Sequence, residues 1–501
     1  MTDAVQGTGR AGRDDAHVFY SWSAQELIRP VTIAGGEGAW FWDEKGTRYL
    51  DFASQLINLN LGHQHPALVG AIQAQAGRLA TVAPSFANPV RSELARLIVE
   101  RAPGGTDGGL NRVFFTNGGA DAVENAVRLA RRHTGRQKVL AAYRSYHGNT
   151  GTAVTATGDP RRWPNEVDPG VRHFFGPYTY RSSFGATTDA DECVAALRHL
   201  REVVELEGPA TIAAILLETV VGTNGVLVPP DGYLAGVREL CDEHGILYVA
   251  DEVMVGFGRV GEWFAVDHWD VVPDLVVFAK GVNSGYVPLG GVIVSERVAA
   301  SFDRTPFPGG LTYSGHPLAC APGVASIHVL EEQGILDRVR SLGERVLGER
   351  LRDMAARHPS VGEVRGLGFL WAIELVRDPL TRERLVPFQG TPEQNAPMAE
   401  VVAAVTAGGV WPFPQVNRLH LAPPLVTSVE DLEHGLDVVD AAHDVADRYV
   451  VEPVRHRRRT VPTAPTTRRV AGAEPARRRT GRRRRAPRRR RRGRARGPRP
   501  T

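Results

Sequence analysis

Apolar positions along the middle of the chain follow two alternating spacings, from about residue 66 to residue 320. Segments with helical periodicity are separated by short apolar runs of strand length. These runs cover residues 112–116, 137–142, 211–217, 246–250 and 275–279. Such alternation predicts an α/β domain with a mainly parallel sheet. The ligand of such a domain is expected beyond the C-terminal ends of the strands.

The two flanking regions have other patterns. Residues 38–50 predict a hairpin around the turn Asp43-Glu44-Lys45-Gly46. After Pro322 the pattern predicts a helix over about 323–358, followed by a Gly-rich strand over 364–374. Further helix and strand follow, so we expect a second, smaller α/β domain that ends near Asp447.

The net charge of +4 hides two oppositely charged parts of the chain. Residues 455–501 hold 21 Arg and one Glu, while the rest of the chain holds 39 basic and 55 acidic residues. The basic segment has too few large apolar residues to form a core, so it is predicted to be disordered. It is interpreted either as a tail for nucleic acid or another anionic surface, or as a dispensable extension. We favour the extension.

The remaining composition is that of an ordinary globular enzyme, with 42% apolar and 23% charged residues. No apolar run approaches the roughly 18 residues of a membrane span. Residues 1–15 are polar and lack the apolar core of a secretory signal. Cys193, Cys241 and Cys320 are widely spaced, which argues against a disulfide framework and against a metal cluster. We therefore expect a cytoplasmic protein that uses no metal and no membrane.

Lysine is scarce: the chain has Lys45, Lys138 and Lys280 against 57 arginines. Arg can replace Lys where only charge is needed, but not where a deprotonated amine must attack a carbonyl group. Lys45 lies in the predicted turn, and Lys138 is most simply a solvated charge before a strand. Lys280 ends an apolar run, 29 residues after Asp251. It either reaches solvent there or is an amine of lowered pKa, suited to Schiff-base chemistry.

Two other predicted strand ends carry candidate ligand-binding groups. Strand 112–116 meets the small-residue turn Asn117-Gly118-Gly119-Ala120 and then a helix. One face of that helix is formed by Val123, Ala126, Val127 and Ala130. Free amides at its start suit a phosphate, although a tight strand-to-helix connection has the same pattern. Asp251 ends another strand, where it suits a protonated pyridine nitrogen, a loop cap or, less well, a metal.

At these residues the chain resembles the class III (omega) aminotransferases of pyridoxal-phosphate (PLP) fold type I, over about residues 15–447. The matching motifs are Asn117-Gly118-Gly119-Ala120-Asp121, Tyr146-His147-Gly148, Asp251-Glu252-Val253-Met254-Val255-Gly256-Phe257-Gly258-Arg259, Ala279-Lys280-Gly281 and Thr312-Tyr313-Ser314-Gly315-His316-Pro317. The resemblance implies the α/β fold of aspartate aminotransferase, with a large, mainly parallel-sheet PLP-binding domain at 66–322 and a smaller α/β domain at 323–450. Residues 1–65 would contribute to the small domain and the active-site wall, and 451–501 would be the disordered tail.

The resemblance also implies roles for single residues. Lys280 would hold PLP as a Schiff base and later move a proton between substrate and cofactor, while Asp251 would pair with the pyridine nitrogen. Tyr146 and Val253 would pack on opposite faces of the ring. The residues expected at the cofactor are Gly118, Gly119, Ala120, Tyr146, His147, Glu218, Asp251, Val253, Lys280 and Thr312.

Three of these positions need comment. Gly118 and Ala120 stand where many relatives have serines, so the phosphate would depend more on backbone amides. Glu218 matches the family's active-site glutamate, with a strand-end surface carboxylate as the alternative. Thr312 is expected to reach the phosphate of the partner subunit, which implies a homodimer or a dimer of dimers.

The substrate is less clearly marked. Residues 19–25 and 264–270 look most like taurine– and β-alanine–pyruvate aminotransferases. Trp22 is expected to line the substrate pocket with Phe86 nearby, although either can be a core residue. Ile57 stands where many relatives carry an aromatic lid, which would widen that wall. Many relatives have a mobile Arg ten residues before a Pro-Pro pair, where this chain has Phe413; Arg418 could take the role or be an ordinary strand-end charge.

The sequence therefore predicts a PLP-dependent transaminase. Its donor would be a taurine- or β-alanine-like ω-amino acid or amine, and its acceptor a 2-oxo acid such as pyruvate. A PLP aminomutase, racemase or decarboxylase on the same fold is the alternative, which the matches around Trp22 and Thr312 disfavour. A non-enzymatic alternative is nucleic-acid binding through residues 455–501.

Overall fold

The computed structural model describes residues 17–451, except for the side chain of Thr106, and its strands form three sheets. The predicted tail lies outside the described residues from residue 452 onward. The strands are β1 (Ile33–Glu37), β2 (Trp40–Asp43), β3 (Arg48–Asp51), β4 (Leu110–Thr116), β5 (Lys138–Ala142), β6 (Val171–Phe174), β7 (Ile212–Glu218), β8 (Leu247–Asp251), β9 (Leu275–Phe278), β10 (Gly290–Ser295), β11 (Val361–Leu367), β12 (Leu370–Asp378), β13 (Glu383–Arg384), β14 (Val410–Trp411), β15 (Phe413–Gln415) and β16 (Arg418–Leu421).

Helices cover the sheets and connect the strands. They are α1 (Ser54–Ile57), α2 (Pro66–Arg78), α3 (Pro89–Val99), α4 (Gly119–Thr134), α5 (Gly151–Ala156), α6 (Asp189–Glu207), α7 (Tyr233–His244), α8 (Glu296–Ala299), α9 (Pro317–Glu332), α10 (Ile335–Leu342), α11 (Glu349–Arg357), α12 (Pro392–Ala407) and α13 (Val429–Asp447). No helix between residues 17 and 451 is both long and apolar enough to cross a membrane.

The largest sheet has seven strands in the order β4-β10-β9-β8-β7-β5-β6. Only β10 runs antiparallel to its neighbours, and the pairs from β9 through β8, β7 and β5 to β6 are all parallel. Five of these strands are those predicted from the apolar runs, so the α/β prediction with a mainly parallel sheet is confirmed. The carboxyl ends of β7, β8 and β9 therefore lie side by side at one edge of the sheet.

Helix α4 packs on this sheet through the face predicted from its sequence. Its residues Val123, Ala126, Val127 and Ala130 are buried. The helix begins directly after Gly118 and ends at Gly135, which has the left-handed φ of 70° that glycine adopts without strain. The start of α4 is thus held at the edge where β7, β8 and β9 end.

Of the two smaller sheets, one combines strands from both ends of the described chain and the other is formed by residues 361–421. The hairpin β2–β3 is the one predicted at 38–50, and its turn is closed by Asp43 Oδ1, which accepts hydrogen bonds from the amides of Lys45 and Thr47. Strand β14 pairs in parallel with β3 and completes a four-stranded sheet. The third sheet is antiparallel, in the order β11-β12-β16-β15, with β13 paired to β12.

Two predicted elements after residue 316 are different in the structure. The single helix expected over 323–358 is α9, α10, a π-helical segment (Gly343–Gly348) and α11, with α9 starting earlier at Pro317. The break between α9 and α10 falls at Gly334, whose left-handed φ of 59° cannot continue a right-handed helix. The single strand expected over 364–374 is the β11–β12 hairpin, which turns at Gly368 with a φ of 55°.

Candidate active site

Three ionisable side chains meet where the parallel strands of the large sheet end. Asp251 is the last residue of β8, Glu218 is the last residue of β7, and these two are paired in the strand register. Lys280 follows β9 after one intervening residue. All three line one cavity of about 440 Å³, which is the size of a small-molecule site.

Lys280 is held in an unusual backbone conformation at the start of a short 3-10 turn. Its φ is +43°, which is uncommon for a residue with a side chain and indicates a constrained position. Burial lowers the pKa of its amine, and the nearby carboxylates of Asp251 and Glu218 oppose that shift. The half-buried side chain lines the cavity, and an amine of lowered pKa has the properties of a nucleophile and a proton acceptor.

Asp251 is fixed by two hydrogen bonds. Its Oδ2 lies 2.7 Å from Nδ1 of His147, and both side chains are buried. Its Oδ1 accepts a hydrogen bond of 3.0 Å from the amide of Val253. Because a carboxylate can only accept, the His147 proton must be on Nδ1, and Nε2 of His147 has no hydrogen-bond partner among the described residues. The hydrogen bond from His147 thus fixes the orientation of the Asp251 carboxylate.

Glu218 is also anchored by backbone groups. Its two oxygens accept hydrogen bonds of 2.8 Å from the amides of Tyr146 and Gly222. Burial raises its pKa to about 7, with His147 acting against the shift and Asp251 adding to it. This glutamate links β7 to the segment that carries Tyr146, and it lines the cavity rather than the protein surface.

The amino end of α4 forms the opposite side of the cavity. Gly118, Gly119 and Ala120 line it, and the first amides of a helix have no carbonyl partner within that helix. Gly119 lacks a side chain where one would collide, since a Cβ would lie 2.9 Å from Cγ1 of Val253. Exposed amides, small side chains and the positive end of a 16-residue helix make this an anion-binding cradle.

Arg161 is a cavity residue that the sequence did not single out. Its guanidinium carbon lies 3.7 Å from the centre of the Tyr146 ring, and Nη2 donates a 3.1 Å hydrogen bond to Oγ1 of Thr223. Nε bonds both oxygens of Asp159 at 3.1 and 3.0 Å. In a chain with 57 arginines, composition could not mark this one, and the short 3-10 turn that carries it, Pro160–Arg162, carries a second arginine beside it.

Of the predicted substrate residues, some line the cavity and others do not. Trp22 lines the cavity and is half exposed. Ile57 does not line it: its side chain is in a core cluster with Val220 and Met254, while its neighbours Leu56 and Asn58 reach the cavity. Positive φ angles at residues 54, 55 and 57 give this segment an irregular path, and the Ile57 side chain faces the core.

Phe86, Thr312 and Arg418 also lie outside this chain's cavity. Phe86 is 63% exposed, and Thr312 is exposed in the loop before α9. Arg418 is buried in the third sheet, paired in register with Glu374 of β12, and the acidic charge of Glu374 acts on it. Phe413, at the position where many relatives have an arginine, does line the cavity.

The cavity fits the three reactive parts of PLP. Lys280 offers an amine of lowered pKa for the aldehyde, Asp251 a carboxylate for the pyridine nitrogen, and the start of α4 a cradle for the phosphate. The space that a Cβ on Gly119 would fill is left open beside Val253. A mainly parallel sheet with these groups at its carboxyl edge defines a PLP-dependent enzyme of fold type I.

The comparison with known proteins gives the family. Residues 21–442 match the family model of class-III aminotransferases. The chain belongs to this family, and its cofactor is PLP.

Relatives and solved structures agree with this assignment. A probable aminotransferase of Mycobacterium tuberculosis is 36% identical over 428 residues, covering 81% of this chain and 88% of that protein. The taurine–pyruvate aminotransferase of Bilophila wadsworthia is 30% identical over 451 residues, covering 87% of this chain and 97% of that protein. Taurine:2-oxoglutarate aminotransferase from Bifidobacterium kashiwanohense, solved with PLP and glutamate, superposes with a TM-score of 0.83 at 42% identity, covering 87% of this chain and 96% of that one.

Proposed function

We propose that this aminotransferase moves an amino group from a taurine- or β-alanine-like ω-amino acid or amine to a 2-oxo acid such as pyruvate. The observation that carries the proposal is the position of Trp22, which lines the same cavity as Lys280. Trp22 belongs to the segment that looks most like taurine– and β-alanine–pyruvate aminotransferases. The similarity to taurine aminotransferases from two organisms supports the same donor class.

Each proposed cofactor contact uses a group already in place. PLP supplies an aldehyde that takes up an amino group and a ring that withdraws electrons from the neighbouring carbon. Lys280 would hold the aldehyde carbon, Asp251 the pyridine nitrogen, and the amides of Gly119 and Ala120 the phosphate. Asp251 would keep its negative charge towards the ring because His147 fixes it from the other side.

The main contribution of the chain to the reaction is proton movement at Nζ of Lys280. A lowered pKa favours the deprotonated form of this amine, which can take the proton from the amino-bearing carbon of the donor. Asp251 and Glu218 stabilise the ammonium form that results, which lets the same group return a proton in the second half of the reaction. Tyr146 and Val253 would hold the ring between them while this happens.

We also propose that the enzyme is a cytoplasmic homodimer or dimer of dimers. The exposed position of Thr312, away from the cavity of its own chain, supports a contact with the cofactor of a partner subunit. Cys193, Cys241 and Cys320 are buried free thiols, which supports a reducing compartment. Sedimentation velocity of the purified protein tests the oligomer.

The donor is tested with a panel of amines added to the PLP-loaded enzyme without acceptor. Taurine, β-alanine, 4-aminobutyrate and putrescine are compared by the loss of the absorbance of lysine-bound PLP, and pyruvate is then added to restore it. We expect taurine or β-alanine to convert the cofactor fastest. If both leave the spectrum unchanged while other amines convert it, the proposed donor class is wrong although the family assignment stands.

A further inference from the structure

The cavity around Lys280 also contains a guanidinium group, which stays protonated. Arg161 is the only arginine among the described residues that line this cavity. We propose that Arg161 binds the anionic end of the donor, which is the sulfonate or carboxylate at the opposite end from the reacting amine. This proposal rests on the proposed function. This assigns to the loop between α5 and β6 the selection of ω-amino acids over uncharged amines.

The guanidinium of Arg161 is held in place but only partly used. Asp159, whose side chain is 3% exposed, binds it through Nε and Nη2, and Thr223 accepts from Nη2. Asn224 in turn donates to Asp159 at 3.0 Å. No described residue accepts a hydrogen bond from Nη1, and 16% of the Arg161 side chain stays exposed on the cavity wall. Two N–H groups therefore remain for a sulfonate or carboxylate oxygen.

The position of Arg161 also suits a substrate attached next to Lys280. Its ring contact with Tyr146 places it beside the side chain proposed to cover one face of the cofactor. Besides burial, its positive charge contributes to the lowered pKa of Lys280, which shows that the two groups act on each other electrostatically. An anion bound at Arg161 thus lies in the same small cavity as the reacting amine.

The other arginine considered for this role is already committed elsewhere. Arg418 is buried and does not line the cavity. Its positive charge acts on the carboxylate of Glu374, which Arg365 and Arg181 bind directly, with Nη2 of Arg365 at 2.8 Å. Arg418 would have to leave its buried position in the third sheet to reach the cavity, whereas Arg161 already lines the cavity with its anchors in place.

Two variants of Arg161 and one neighbour test the proposal. Arg161→Met removes the charge with similar length, and Arg161→Lys restores the charge without the fork of donors. Arg162→Met is the matched control, because Arg162 binds Glu166 at 2.9 Å and does not line the cavity. The absorbance of lysine-bound PLP shows that each variant is folded and loaded.

The measurement compares donors that differ in their charged end. We expect Arg161→Met to lower kcat/KM for taurine and β-alanine by about 10- to 100-fold, mainly through KM, as the loss of a charge-assisted hydrogen bond predicts. Propylamine, which has no anionic end, should change by less than about threefold in the same variant. Arg161→Lys should recover part of the loss, and Arg162→Met should match the wild type with every donor.

Binding without reaction gives an independent readout. Ethanesulfonate carries the charged end of taurine but no amine, so it can only compete. Its inhibition constant should rise with Arg161→Met in the same proportion as the KM for taurine. This arm also applies if the wild type proves to use uncharged donors, in which case the proposed function fails while Arg161 is still tested.

Two outcomes would overturn the proposal. Equal losses in kcat for taurine and propylamine would mean that Arg161 only positions Tyr146. Unchanged taurine kinetics together with unchanged ethanesulfonate inhibition would mean that the anion binds elsewhere.

Discussion

Replacing Asp251 by Asn removes a negative charge from the deepest part of the active site and nearly preserves the shape of the side chain. In the wild type, Oδ2 of Asp251 accepts from His147 at 2.7 Å and Oδ1 accepts from the amide of Val253 at 3.0 Å. Asparagine has a single acceptor oxygen, so its NH₂ group must face one of these two donors. The variant therefore loses a charge-assisted bond and leaves a buried donor without an acceptor.

The size of both effects follows from this geometry. A hydrogen bond to a charged group contributes about 1.5–3 kcal/mol and an unsatisfied buried donor costs about 1–3 kcal/mol, so we expect the free energy of unfolding of the apoenzyme to fall by about 2.5–6 kcal/mol. If Asp251 faces the pyridine nitrogen as proposed, loss of its charge should also slow the conversion of PLP by donor amine. A lost charge-assisted contact predicts a decrease of about 10- to 100-fold in that rate.

The assay needs a control variant that is less stable but reacts with the donor at the wild-type rate. Asp274→Asn is such a control. Asp274 lies at the other end of the same sheet, just before β9, where its Oδ2 accepts from the amide of Tyr248 and from Arg238, both at 2.9 Å. Urea unfolding of the two apoenzyme variants should show losses of similar size. Stopped-flow absorbance with taurine should show the rate loss in Asp251→Asn alone.

Two results would refute this reasoning. An Asp251→Asn enzyme that converts donor amine at the wild-type rate would show that the carboxylate does not act on the cofactor ring. Equal rate losses in Asp251→Asn and Asp274→Asn would show that the effect arises from general loosening of the sheet.

Three further changes have clear expected outcomes. Lys280→Ala and Lys280→Arg should both lose transamination and the absorbance of lysine-bound PLP, because alanine has no amine and a guanidinium stays protonated. Transamination by Lys280→Arg would contradict this expectation. Gly119→Ala should raise the PLP dissociation constant about tenfold, measured by equilibrium dialysis, since its Cβ would lie 2.9 Å from Cγ1 of Val253. Burial raises the pKa of Glu218 to about 7, above its unfolded value, so its stabilising effect is complete in acid and is lost as the pH rises through 7. The unfolding temperature should therefore fall more steeply between pH 5 and pH 8 in the wild type than in Glu218→Gln. Equal slopes in the two proteins would contradict the raised pKa of Glu218.

The residues at the strand ends could be predicted because their signal is local. Asp251 and Lys280 each follow a run of buried apolar residues, and parallel strands place such ends at one edge of the sheet. The turn before α4 likewise has its small residues and its helical face next to each other in the sequence. The pairing of Glu218 with Asp251 follows once β7 and β8 are neighbours.

Breaks in long apolar patterns were harder to predict. Gly334 divides a stretch that has helical periodicity on both sides, and Gly368 divides one that looks like a single strand. At both positions the deciding property is a left-handed φ, which a glycine permits but does not require. The spacing of apolar residues continues across both glycines, so it does not indicate that the chain turns there.

Cavity residues outside the strand ends depend on contacts that are distant in the sequence. Asp159 binds Arg161 locally, but its place in the cavity also depends on Tyr146 and on Thr223, which is 62 residues away. Nothing in the sequence of its segment distinguishes Arg161 from the adjacent Arg162. Ile57 shows the opposite case. Its sequence position suggests a pocket wall, but in this irregular segment with positive φ angles its side chain lies in the core. The residues proposed to hold the cofactor lie mostly at strand ends, and their positions are therefore predictable from sequence. The substrate half is built on loops whose side-chain directions are decided by tertiary packing, and for this reason donor specificity is best tested at Arg161.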